Sequence, residues 1–162
     1  MLQSAVSSDE GEVKALIVSI GDHYFGAIID NIEDVIQRQP TTPVPLAPDH
    51  IIGLLNLRGH IVTEIDVAKT LEIERSSSDD AANDAGYSMV VNHKGEMYSL
   101  VFDDVGDVVD IAKDNIESLP NTINKKWFLV SPGVYRMGVR LVVLLDFDLL
   151  IDHITPQNSE IV

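Results

Sequence analysis

The chain has 162 residues, 26 of them acidic and 11 basic, giving a formal net charge of −15. Such acidity argues against a nucleic-acid or anionic-membrane partner, because both require a cationic surface to displace counterions. The absence of cysteine excludes disulfide staples, thiolate chemistry and zinc–thiolate sites.

With 45% hydrophobic residues the chain can build a packed core, as one domain or as two small units. No apolar run reaches the roughly 20 residues of a membrane span, so direct membrane insertion is not expected. Residues 1–12 are polar and acidic, lack the apolar stretch of a secretory signal, and read as a flexible lead-in. A reducing cytoplasm fits the cysteine-free composition.

From Val13 the pattern changes. Lys14–Ile20 and Tyr24–Ile29 read as strands joined by the turn Gly21-Asp22-His23. Asp30–Gln37 alternates only in part and suggests a strand with a bulge or bend. Pro40, Pro43, Pro45 and Pro48 then forbid helix and demand an extended loop over the barrel. Ile52–Val67 is aliphatic and β-branched, broken at Asn56-Leu57-Arg58-Gly59. Asn and Gly tolerate the positive φ of a tight hairpin, which puts Arg58 at the bend. Val67–Ile73 has the spacing of a short helix with Asp66 at its N-cap. Residues 75–86 lack apolar periodicity and read as a mobile connection.

Order resumes with strands at Tyr87–Asn92, Met97–Phe102 and Asp103–Ile111, and a helical or irregular turn over Asp114–Leu119. Trp127–Ser131, Val134–Met137 and Arg140–Phe147 read as further strands, with Trp127 and Phe128 in the core. Asp148–Ile151 reads as a terminal helix, and the residues after Thr155 as a tail.

The two halves repeat. Gly21-Asp22-His23-Tyr24 answers Gly95-Glu96-Met97-Tyr98, Asp30–Ile36 answers Asp103–Val109, and Ile65-Asp66-Val67 answers Leu145-Asp146-Phe147. Each half reads strand, turn, strand, bent strand, loop, hairpin, short helix. Five short strands leave exposed edges unless the sheet closes. The expected fold is therefore all-β: two five-stranded barrels with short helices, over 13–74 and 87–148, with a terminal helix at 149–155. The bent strands carrying Ile32, Asp34, Val105 and Val108 would line a groove.

Little suggests catalysis. Asp66 and Asp146 are symmetric, but both precede short apolar helices, so capping explains them more simply than an acid/base dyad. The five histidines fall on turns or loops without ligand spacing, so neither a metal nor a cofactor is expected. Arg58 has two readings: an ion pair with Glu64 or Asp66 that holds its own hairpin, or a recognition residue whose planar fork meets a partner.

These residues resemble the CheW-like domain of bacterial chemotaxis, over about Lys14 to Leu150. The resemblance is carried by the Gly-Asp-x-Tyr turn, Ile32-Glu33-Asp34-Val35-Ile36, Pro43-x-Pro45-x-Ala47-Pro48, Asn56-Leu57-Arg58-Gly59, Leu100-Val101-x-Asp103-x-Val105-x-Asp107-Val108 and Leu144-Leu145-Asp146. It implies SH3-like barrels and a non-catalytic adaptor joining chemoreceptor cytoplasmic tips to the regulatory domain of a CheA-type histidine kinase, in arrays on the cytoplasmic face of the inner membrane. By position, Arg58 would face the receptor tip. Ile32, Asp34, Val35, Gly53, Val105 and Val108 would line or support the receptor groove, with Asn56, Leu57 and Gly59 completing the hairpin motif. The chain departs from the family where Thr63-Glu64 replaces the usual Pro-Val and Ser99 replaces a usual Gly. Its second hairpin, Val134–Gly138, reads as one residue tighter than the first. Two alternatives follow: a regulator that occupies the adaptor site without bridging, and an enzyme using Asp66, Asp146 or a histidine in a cleft.

Overall fold

The computed structural model describes residues 11–28, 32–73 and 86–154. The lead-in, connection and tail expected to be flexible fall mostly outside these residues. Glu12 is one exception: it opens the first strand.

Eleven strands among the described residues form two sheets. In chain order they are β1 (Glu12–Ile20), β2 (His23–Ile28), β3 (Ile32–Gln37), β4 (Ile51–Leu57), β5 (His60–Asp66), β6 (Tyr87–His93), β7 (Glu96–Phe102), β8 (Asp104–Ala112), β9 (Ile116–Glu117), β10 (Val134–Met137) and β11 (Arg140–Leu145). Helix α1 (Val67–Thr70) follows β5, and α2 (Phe147–Ile154) follows β11. Both begin where the sequence placed a cap. Asp66 Oδ1 accepts the Lys69 N–H at 3.1 Å, and Asp146 Oδ1 accepts those of Asp148 and Leu149 at 3.0 and 3.2 Å.

The strands are not divided between the halves as the repeat suggests. One sheet runs β8-β1-β2-β11-β10-β9, the other β3-β6-β7-β5-β4. The opening hairpin β1–β2 thus joins the strands of the second half, and β6–β7 joins those of the first. The seams are parallel ladders, Val142–Leu145 beside Tyr24–Ala27 and Val62–Asp66 beside Met97–Val101. The expected boundaries at 13–74 and 87–148 are corrected accordingly. The physical reason is the repeat itself. Two equivalent hairpins present equivalent edges, and strand patterning does not say which half each edge pairs with.

Each sheet closes through a bent strand. In the second sheet, β3 and β4 stand at opposite ends of the order, but the chain leaving β3 reaches β4. Thr42 donates to the Leu54 carbonyl at 2.8 Å and accepts from the Leu54 N–H at 2.9 Å. Gly53 permits this approach, because a Cβ there would lie 2.5 Å from the Thr42 carbonyl oxygen. In the first sheet, β8 passes through a single 3-10 turn at Lys113–Asn115 and continues as β9, which pairs with β10. So β8 and β9 act as one bent strand, and both sheets reduce to five-stranded barrels, as expected.

The cores follow. Ala15, Ile111 and Leu144 pack together in the first unit, flanked by Val109, Ile116 and Tyr135. In the second, Leu55, Val62, Ile65, Met89, Leu100 and Phe102 are buried. Fully burying one such large side chain stabilises the fold by about 1.5–3 kcal/mol.

Two local expectations change. Lys125–Leu129 is a 3-10 helix, not a strand, started by Asn124 accepting the Lys126 N–H at 2.9 Å. It turns Trp127 inward, 5.4 Å from the Phe25 ring, and leaves Phe128 exposed. The two tip hairpins have loops of equal length, since Leu57 pairs with His60 and Met137 with Arg140.

Candidate functional site: the Arg58 hairpin

The β4–β5 hairpin turns on two residues, Arg58 at φ 53° and Gly59 at φ 87°. Positive φ at both central positions matches the right-handed twist of the flanking strands. Glycine adopts it freely, whereas an L-residue such as arginine does so at a cost of about 1 kcal/mol. Asn56 serves differently from expectation: it stays in β4, and its Oδ1 accepts the Gly59 N–H at 3.1 Å. Leu57 is half-buried beneath the tip.

Held this way, the Arg58 side chain is 69% exposed and reaches Asp34 on β3, with Nη2 to Oδ2 at 2.8 Å. Two residues singled out separately in the sequence thus form one ion pair. The Arg58 guanidinium, and then the Val35 N–H that Asp34 also accepts, hold the Asp34 carboxyl below the ordinary aspartate range. Ile32 and Val35 flank it on β3, both half-buried, with a register shift against β6 between Ile32 and Asp34. The bulge expected in this segment is present.

The other proposed site residues lie elsewhere. Gly53 is buried and serves barrel closure. Val105 is half-buried and Val108 is 54% exposed, both on β8; Val108 belongs to the first unit, the Arg58 hairpin to the second.

Glu64 is not the partner of Arg58. It is fully buried, and Arg38, just past β3, meets it at 3.2 Å. Its other carboxylate oxygen accepts from Ser88 Oγ at 3.1 Å and Ser99 Oγ at 3.2 Å. Asp66 is likewise committed, to its helix. The two departures from the family pattern, Glu64 and Ser99, are therefore one contact. Sequence reading passed over Arg38. The available signal was parity: Glu64 shares the face of Val62, which is buried. Among the described residues no group of histidine and carboxylate side chains could hold a metal ion, and no helix is long and apolar enough to cross a membrane.

With this geometry in place, the model of the CheW-like domain family matches residues 14–155. The chain belongs to the CheW-like family. Among curated relatives, a chemotaxis protein CheW of Thermotoga maritima is 31% identical over 148 residues, 91% of this chain and 93% of that protein. A chemotaxis protein CheW of Bacillus subtilis is 20% identical over 146 residues, 90% and 91% of the two chains. The crystal structure of the scaffolding protein TtCheW from Thermoanaerobacter tengcongensis superposes with a TM-score of 0.72 at 24% identity, covering 85% of this chain and 86% of that one. That likeness places the exchanged-hairpin barrels in a CheW-like fold.

Proposed function

We propose that this chain is a non-catalytic chemotaxis adaptor that couples chemoreceptors to a CheA-type histidine kinase in cytoplasmic signalling arrays. The observation that carries the reading is the Arg58 tip. An arginine is held at positive φ, largely in water, with its guanidinium aimed by the Asp34 carboxylate of β3. Strain of that kind persists where the surrounding structure enforces it, and it clusters at recognition sites. Family membership supplies the role. A helical receptor tip would dock beside the pair, with Ile32 and Val35 offering apolar contact and the guanidinium fixing register. Gly53 and Val105, in the same unit, support that docking surface in this proposal, and the kinase regulatory domain takes a separate face.

The carboxylates that prompted an enzymatic reading, Asp66 and Asp146, have structural employment as helix caps. Arg58→Ala tests the proposal. Alanine keeps the Cβ, so the strain at φ 53° is unchanged, and loss of an exposed pair costs under about 1 kcal/mol. The variant should stay folded, by circular dichroism, and bind a receptor-tip fragment at least about tenfold more weakly, a 1.4 kcal/mol effect. Parent-like affinity in titration calorimetry would remove Arg58 from the interface.

A further inference from the structure

We propose that the buried Arg38–Glu64 pair is a latch that holds β3 and its exit against the β4–β5 hairpin and thereby positions the exposed Asp34–Arg58 pair. The inference rests on the reading of that exposed pair as the recognition site.

β3 and the hairpin are not hydrogen-bonded neighbours; β6 and β7 lie between β3 and β5 in the sheet order. The ladder carries the backbone register from Asp34 through Val90 and Ser99 to Glu64, and Thr42 bonds Leu54 beyond it. Two ion pairs add side-chain contacts that run from β3 and its exit to the hairpin. Asp34 meets Arg58 at 2.8 Å at the hairpin tip, and Arg38 meets Glu64 at 3.2 Å further along β5. The order of signs matters. Along β3 and its exit, the acid comes first and the base second; along the hairpin, the base comes first and the acid second. Exchanging partners would set Asp34 against Glu64 and Arg38 against Arg58, like charge against like in both places. The observed pairing satisfies all four.

Arg38 also stands at the corner of the bent strand. Its N–H extends the β3 ladder by one bond to the Gly86 carbonyl at 3.2 Å, and four residues later Thr42 has crossed to β4. The Arg38 and Glu64 side chains are 5% and 0% exposed. Glu64 is further held by the hydroxyls of Ser88 on β6 and Ser99 on β7, so the latch gathers the β3 exit, β5, β6 and β7 at one carboxylate. A buried ion pair is a poor source of stability, since apolar side chains of similar volume often replace it at no loss. Its better-attested use is to specify one arrangement among alternatives.

The double variant Arg38→Met/Glu64→Leu removes the latch and keeps its volume. It should remain folded, with a melting temperature within a few degrees of the parent. Its Asp34 carboxyl, followed by carbon-13 NMR titration, should rise toward the ordinary aspartate value, and it should bind the receptor-tip fragment about tenfold more weakly. An unchanged Asp34 titration in the folded variant would overturn the latch. If the double variant does not fold, Glu64→Gln, which keeps the shape and strips the charge, is read by the same two measurements and the same criterion. If the parent itself does not bind the fragment, the functional reading fails, and the Asp34 titration still decides the latch, because it needs no partner.

Discussion

Arg58 and Asp34 show how a weak interaction can matter. Their side chains are 69% and 31% exposed, so the pair stabilises the fold by no more than about 1 kcal/mol. Its consequence is orientation: a long, rotamer-rich side chain is held in one direction at a strained turn. The pair also leaves a signature in pH. Asp34 has a lower pKa folded than unfolded, so its contribution is fully present above the unfolded value of about 4 and is lost as pH falls through the folded value. The stability difference between parent and Arg58→Ala should be flat above about pH 5 and shrink toward zero in more acid solution, in urea titrations at successive pH values. A difference that instead grows on acidification would contradict the assigned pairing. At this scale the sequence was only half informative. It marked Arg58 and Asp34 separately, but offered Glu64 or Asp66 as the partner, because residues on the same hairpin are the natural candidates when the neighbouring strands are unknown.

Closure of each barrel belongs to the bent strands. β3 pairs with β6, and the chain beyond it pairs with β4; β8 and β9 do the same between β1 and β10. In the second barrel the closing bonds run between Thr42 and Leu54, against a glycine whose missing Cβ makes the space. The obstructing atom is a backbone carbonyl, which cannot swing aside. Gly53→Ala should therefore cost about 2 kcal/mol, within the range of overpacked sites, as a lowered urea midpoint. A loss under about 0.5 kcal/mol would show that the Thr42 segment is not held there. The elements themselves were largely legible: alternation gave most of the strands, proline density gave the loop, and an aspartate before an apolar run gave both helix caps. Trp127–Ser131 was misread as strand because its apolar content matches one; Asn124 and a 3-10 turn decide otherwise.

At the scale of the whole molecule, the repeat was visible and its assembly was not. Both halves carry the same elements, yet the hairpins β1–β2 and β6–β7 are exchanged between barrels. That exchange explains why the buried site escaped notice: Ser88 and Ser99 reach Glu64 only because β6 and β7 build the first half's barrel. The strands of the second barrel, β3 to β7, are consecutive in the chain and lie between β2 and β8 of the first. An adaptor must hold two partners at once. The most direct measurement mixes the full chain with a receptor-tip fragment and a CheA regulatory domain, each at saturating concentration, and determines the mass of the complexes by light scattering. The expected result is a complex containing all three. Two binary complexes that compete, with no ternary species, would contradict it and identify a regulator that occupies the adaptor's place without bridging.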